Sequence, residues 1–279
     1  MTRAGASAYV HSMSSESPLA TPEPWDLVAS GYVAENLAQF EAFAREALRL
    51  VPARGEVLDV AAGPGSLTLL AARTARRVCA VDFAPAMIDA LRARAVAAGI
   101  TNVDAQVADG QALPFSAARF DAAYSMFGLI FFPDRARGLA ELVRVLRPGA
   151  RALVSSWPTL ERVPVFAALF GALGAEVPGG IGEGATVLGT AGDITSEMRA
   201  AGFSAVTVHE HEVVTGTLTP AELWRSFARG GAPAVLMREK MGDEGFAELS
   251  RRVVARLEAA LGAGPLELRL TALLGVGTR

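Results

Sequence analysis

The stretch Val57-Leu58-Asp59-Val60-Ala61-Ala62-Gly63-Pro64-Gly65-Ser66-Leu67, followed downstream by Val81-Asp82, decides how this chain reads. It is an apolar strand running into a glycine turn and then a helix, with an acid closing the next strand. Small residues at the end of a parallel strand let a ligand approach the backbone, and an acid after the second strand can accept from both hydroxyls of a ribose. A nucleotide-like ligand is implied. A dinucleotide site uses the same geometry, but Thr68 stands where its fingerprint wants a third glycine. Asp59, just before the turn, would oppose a pyrophosphate and suit a ligand that carries an ammonium and a sulfonium.

Outward from that turn the chain alternates short apolar runs with longer helical stretches, the pattern of an α/β protein with a doubly wound, mostly parallel sheet. Strands are expected at 56–60, 77–81, 103–107, 120–125 and 151–156, with helices at 66–76, 85–98 and 134–146. Pro85 suits a first helical turn and Gly99 a C-terminal cap. Beyond residue 157 come the apolar helix 163–175, a Gly-rich stretch over 179–192 and a short helix at 195–201. An alternating strand at 206–214 follows, able to pair with 266–276, and between them lie helical stretches at 221–230 and 244–261. Residues 1–20 are expected to be a disordered leader and 21–279 one domain, in which 157–200 and 215–265 form a substrate cap.

The chain has 279 residues, of which 51% are hydrophobic and 20% charged, enough apolar material for a large core. A formal charge of −3 offers no basic field for a phosphate backbone, which argues against nucleic acid as a partner. The most apolar run is shorter than the roughly 20 residues a spanning helix needs, so no membrane span is expected. The first 20 residues hold no apolar core of a secretory signal. One cysteine, Cys79, and three scattered histidines give neither an internal disulfide nor a metal set. A cytoplasmic, metal-independent monomer or homodimer is expected.

The ordered motifs resemble the class I S-adenosylmethionine-dependent methyltransferases of the type 11, or UbiE-like, group, over about residues 25–215. The first motif is similar to Val57–Gly65, with Ala61 in place of the first glycine of the commoner version. Val81-Asp82-Phe83-Ala84-Pro85-Ala86-Met87 resembles the second motif. Ala108-Asp109-Gly110-Gln111-Ala112-Leu113-Pro114-Phe115 resembles the third. Phe120-Asp121 and Leu146-Arg147-Pro148-Gly149-Ala150 are similar to the fourth strand and the turn before the fifth. Trp25-Asp26-Leu27-Val28-Ala29-Ser30-Gly31-Tyr32 is similar to the family's N-terminal W-D-x-x-A-x-x-Y segment.

The resemblance implies a seven-stranded sheet with an antiparallel final strand and S-adenosylmethionine as cofactor. The cofactor residues it implies are Tyr32, Asp59, Ala61, Gly63, Gly65, Asp82, Phe83, Met87, Ala108, Asp109, Gly110 and Ser125. Asp82 would bind the ribose hydroxyls, Phe83 and Met87 would flank the adenine, and Asp109 would accept from its amino group. Tyr32 would lie over the methionine end.

An acceptor pocket is expected between 25–43, 157–177 and 218–241, lined by Phe127, Trp157, Phe166, Phe170, Trp224, Phe227, Leu236 and Met237. Such a lining implies a small apolar or aromatic acceptor methylated at O, N or C. His209 and His211 share one face of an expected edge strand and read as surface residues rather than a base. Cys79 reads as a buried structural thiol. No general base stands out. A nucleic-acid or protein methyltransferase on the same fold, a cofactor-binding protein without turnover, and an NAD-dependent oxidoreductase are the alternatives.

Overall fold

Short runs of Val, Leu and Ala bounded by glycines pair side by side in the computed structural model, which describes residues 17–177 and 188–279. The strands are β1 (Glu56–Val60), β2 (Arg77–Asp82), β3 (Val103–Val107), β4 (Phe120–Ser125), β5 (Leu146–Ser156), β6 (Ser204–Leu218) and β7 (Leu266–Thr278). They form one sheet in the order β3-β2-β1-β4-β5-β7-β6, parallel except for β7, which runs antiparallel to both its neighbours. Strand order reverses between β1 and β4, and ligands of doubly wound sheets sit at such a switch point beyond the strands' carboxyl ends. The expected architecture is present.

Helices α1 (Glu23–Glu35), α2 (Leu37–Leu50), α3 (Thr68–Ala71), α4 (Pro85–Ala97), α5 (Arg135–Val145) and α7 (Ala191–Ala200) accompany the sheet. The helices α6 (Pro164–Glu176), α8 (Pro220–Gly230) and α9 (Ala232–Leu261) gather into a smaller apolar cluster of their own, built on Leu169, Leu173, Trp224, Met237, Phe246 and Leu249. Gly242, with φ +71°, breaks α9 into two helical halves. Thr190 and Thr219 each close a capping box, with Asp193 and Glu222 as the reciprocal acids. The exposed Glu222 thereby helps to start α8.

Several boundaries differ from expectation. The helix expected over 66–76 is α-helical only at α3, because Arg73 and Thr74 bond back three residues and the Thr74 hydroxyl donates to Ala53 O at 3.0 Å. β5 begins at Leu146 rather than Arg151. Leu146 already pairs with Phe120, and Pro148-Gly149 is absorbed in the register shift that follows. Helix α7 starts at Ala191, not 195, and packs Ile194 and Met198 against the glycines of β7, so it belongs to the sheet rather than to the cap. The N-terminal segment 25–43 is two helices, which meet at Asn36. Of the expected leader, residues 1–16 with His11 lie outside the described residues. Pro18–Ala20 instead form a 3-10 turn, held by a hydrogen bond from Trp25 Nε1 to Leu19 O at 3.0 Å. Residues 179–187 of the Gly-rich stretch also lie outside the described residues.

Cys79 is buried within β2, and burial raises its thiol pKa, as a structural residue requires. His209 is exposed, and His211 packs its ring edge on Phe43 at 6.2 Å. No helix among the described residues is long and apolar enough to cross a membrane.

Candidate functional site

A cleft of about 730 Å³ opens beyond the carboxyl ends of β1, β2 and β4, under a roof made by α1, α6, α8 and the first half of α9. At one end the turn after β1 is left-handed at two positions, Ala61 (φ +56°) and Gly63 (φ +53°). A Cβ on Gly63 would meet nothing within 4 Å, so the glycine leaves open space on the cleft side of the turn. Asp82, only 6% exposed, closes this end. Its Oδ2 accepts from Gly63 N–H at 2.8 Å and its Oδ1 from Ala84 N–H at 3.0 Å. Burial outweighs these bonds and pushes the carboxyl up to about 6. A half-compensated carboxylate at a cavity wall is suited to receive further donors.

The same end is lined by Phe83, Met87, Ala108, Asp109, Gly110 and Gln111. Asp109 Oδ1 accepts from the backbone and side-chain N–H groups of Gln111, at 2.8 and 3.1 Å. Gly110 has no room for a side chain, since a Cβ there would sit 2.5 Å from Phe132 Cζ. Asp26 accepts from Ala86 N–H at 2.7 Å, which ties α1 to the first turn of α4 and carries Tyr32 over the cleft. Burial, followed by the charge of Asp82, raises the Tyr32 phenol far above its ordinary range, so it stays protonated.

The other end is aromatic. Phe127 stacks on Trp157 at 4.2 Å, Trp157 meets Phe166 edge-on at 5.1 Å, and Tyr32 stacks on Phe40 at 5.4 Å. Phe127 is left-handed (φ +56°), and its N–H donates to the buried Ser155 Oγ at 2.9 Å. An aromatic residue in that region is strained, and strain of this kind collects at functional sites. Phe170, Phe227, Leu236 and Met237 complete the wall together with Asn36 and Gln39.

Four expected site residues lie elsewhere. Asp59 is buried beneath the turn, not in the cleft, where Thr68 Oγ1 donates to its Oδ2 at 2.6 Å and its Oδ1 has no partner. Burial pushes it up to about 7, against the pull of Thr68, and Asp82 adds to the rise. Gly65 does not line the cleft either. With φ +87° and Leu91 Cγ 2.9 Å from where its Cβ would be, it lets the turn pack on α4. Ser125 is fully buried, its Oγ without a partner, and the cleft is lined instead by its successors Met126, Phe127 and Gly128. Trp224 is core, stacked on Phe246 at 5.9 Å, because its position on α8 points at α9 rather than at the cleft.

Cleft residues that the sequence reading missed include Leu19, Asn36, Gln39, Phe131, Phe132 and Lys240. Asn36 had a signal: it is a polar residue closing one helix and opening the next, and its Nδ2 donates to Gly230 O at 2.7 Å, joining α1 to the cap.

Residues 57–149 match a family model described as a methyltransferase domain. The chain therefore carries a methyltransferase domain on a class I, Rossmann-like sheet. Its relatives include proteins described as demethylmenaquinone methyltransferases. The Corynebacterium kroppenstedtii enzyme of that name is 40% identical over 123 residues, 44% of this chain and 50% of the relative. A protein of Mycobacterium tuberculosis described as uncharacterised is 45% identical over 101 residues, 36% of each chain. The chain thus spans between about a third and a half of the length of the curated relatives it matches. Among solved structures, the Bacillus subtilis YcgJ protein superposes with a TM-score of 0.59 at 17% identity, covering 86% of this chain and 97% of the other. That likeness concerns the fold alone.

Proposed function

We propose that the protein binds S-adenosylmethionine and transfers its methyl group to a small apolar or aromatic acceptor. The observation that carries this is a single cleft with two unlike ends, an acid beside an open glycine turn at one and a box of aromatic rings at the other. The residues fit the cofactor. Gly63 leaves clearance, Asp82 offers lone pairs to a vicinal diol, and Phe83 and Met87 supply flat apolar surface for a base. Ala61, Ala108, Asp109 and Gly110 shape the rest of that end. Asp59 acts through its field from below the turn, not by contact.

When bound, the cofactor supplies a methyl group made electrophilic by a positively charged sulfur. The chain's contribution is then to orient and to exclude water. Tyr32, Phe40, Phe127 and Trp157 hold an acceptor's flat face and keep solvent out. Among the described residues lining the aromatic end, the phenol of Tyr32 is held protonated by burial, so no strong base faces the acceptor. An acceptor with its own lone pair, or one already ionised, suits this compartment. The likeness to demethylmenaquinone methyltransferases supports a ring substrate of quinone type as the first to try.

Incubation with methyl-labelled S-adenosylmethionine and a panel of reduced quinones, phenols and aromatic amines tests this. Label is expected in an extractable product, together with S-adenosylhomocysteine. Cofactor binding without transfer to any of them would favour a binding protein instead.

A further inference from the structure

One face of the first half of α9 forms a stripe along the cleft: Pro233, Leu236, Met237 and Lys240, at helical spacing. The stripe starts beside the end assigned above to the cofactor, since Ala232 packs in one cluster with Ala84 and Met87. Met237 belongs to the cap cluster with Leu169 and Trp224. Eight residues of helix place Lys240 about 12 Å farther along the axis than Ala232.

Lys240 is chemically singular. It is the one lysine among the 26 lysines and arginines of the chain, and the one cation among the described residues lining the cleft, which otherwise carries the acids Asp82 and Asp109. The nearby carboxylate of Asp243 is taken by Arg238 at 2.7 Å, and no ion pair or hydrogen bond of Lys240 occurs among the described residues. The glycine break at Gly242 ends the helix just beyond it. An ammonium is a compact charge on a flexible stem, able to reach an anion at a cavity mouth without a fixed partner.

We infer that the acceptor is an elongated apolar or aromatic acid, whose carboxylate lies at the mouth against Lys240 while its far end reaches the aromatic box. This rests on the acceptor reading of the cleft given above and narrows it. Lys240 is exposed at the cleft mouth, where an acid would give its ammonium an anionic partner that a neutral ring does not.

The test uses 6-phenylhexanoate and its uncharged amide, titrated calorimetrically into the full chain with and without saturating S-adenosylhomocysteine. The wild type is expected to favour the carboxylate by about fivefold or more at low ionic strength, the preference shrinking in about 0.3 M salt as screening demands. K240M should bind the two probes within about twofold of each other, K240R should retain the preference, and K240E should reverse it. Affinity for S-adenosylhomocysteine should be the same in all four proteins.

Equal binding of both probes by the wild type, binding of neither, or a carboxylate preference that survives in K240M overturns the inference. So does a loss of S-adenosylhomocysteine affinity in K240M, which would assign Lys240 to the cofactor. Failure of S-adenosylhomocysteine to bind the wild type defeats the cofactor reading instead, and the titrations without it still test Lys240.

Discussion

The turns after β1 and β4 meet in the cleft wall, and their fit makes a quantitative prediction about Ala61 and Gly128. Gly128 has right-handed helical backbone angles (φ −86°, ψ −46°), so an alanine there costs nothing in conformation. Space is the constraint. A Cβ on Gly128 would lie within 3.0 Å of Ala61 Cβ and 3.1 Å from Ser125 Oγ. Ala61, conversely, is left-handed at φ +56°, where glycine is at ease.

Gly128→Ala alone should destabilise by about 1–3 kcal/mol, the usual cost of an overpacked methyl. Ala61→Gly alone should be near neutral, since relief of roughly 1 kcal/mol of left-handed strain offsets the lost methyl. In the double variant the methyl changes sides. Its nearest remaining neighbour is the Ser125 hydroxyl, which has no partner and can rotate away. Urea unfolding of the four proteins should therefore give a coupling of about 1–2.5 kcal/mol, and thermal midpoints a recovery of several degrees, at about 2–4 °C per kcal/mol. Additivity within about 0.5 kcal/mol would refute the steric argument.

Further outcomes follow from the two buried acids and from Trp224. Asp82→Asn keeps one acceptor but turns an N–H toward a backbone donor. It should weaken S-adenosylhomocysteine binding by about 1.5–3 kcal/mol, or roughly 10- to 150-fold by calorimetry, and unchanged affinity would remove Asp82 from the site. Asp59 and Asp82 titrate near 7 and 6 in the free protein, above their ordinary 3.8, so the native state holds extra protons between about 4 and 7. Their contribution to stability is present at the acid end and declines as pH rises through that window.

A cation in the cleft favours their ionised forms, so affinity for S-adenosylmethionine should climb from about pH 5 to 8, more steeply than that for the neutral thioether product. Parallel curves for the two ligands would count against a sulfonium near these acids. Trp224→Ala should cost about 3–5 kcal/mol in unfolding while leaving cofactor affinity within about twofold. A lost ligand with an intact fold would return Trp224 to the cleft wall.

Strands β1, β3 and β4 were legible to the residue, β1 and β4 as short, mostly apolar runs and β3 as the alternation Val103-Asp104-Ala105-Gln106-Val107, and the sheet's class followed from their alternation with helices. Asp82, Phe83, Met87 and Asp109 could be named because their motif fixes them close to a strand's carboxyl end, where the fold leaves little freedom. Direction was harder to read. Asp59 and Ser125 belong to those same strand ends, but side chains alternate across a sheet, and theirs turn into the core. Trp224 and Phe227 are three apart on α8, yet the first faces α9 and the second the cleft, a choice made by tertiary packing. The capping boxes at Thr190 and Thr219 were available in the sequence as T-x-x-D and T-x-x-E. Leu19 and Lys240 carry no local signal, since they reach the cleft only because the N-terminal turn and the broken helix α9 fold over it.

The most direct test of the account is a parallel calorimetric titration of the protein with S-adenosylmethionine, S-adenosylhomocysteine and NAD. Micromolar binding of the first two, with none of NAD, is the predicted result. Binding of NAD alone, or of none of the three, would contradict it.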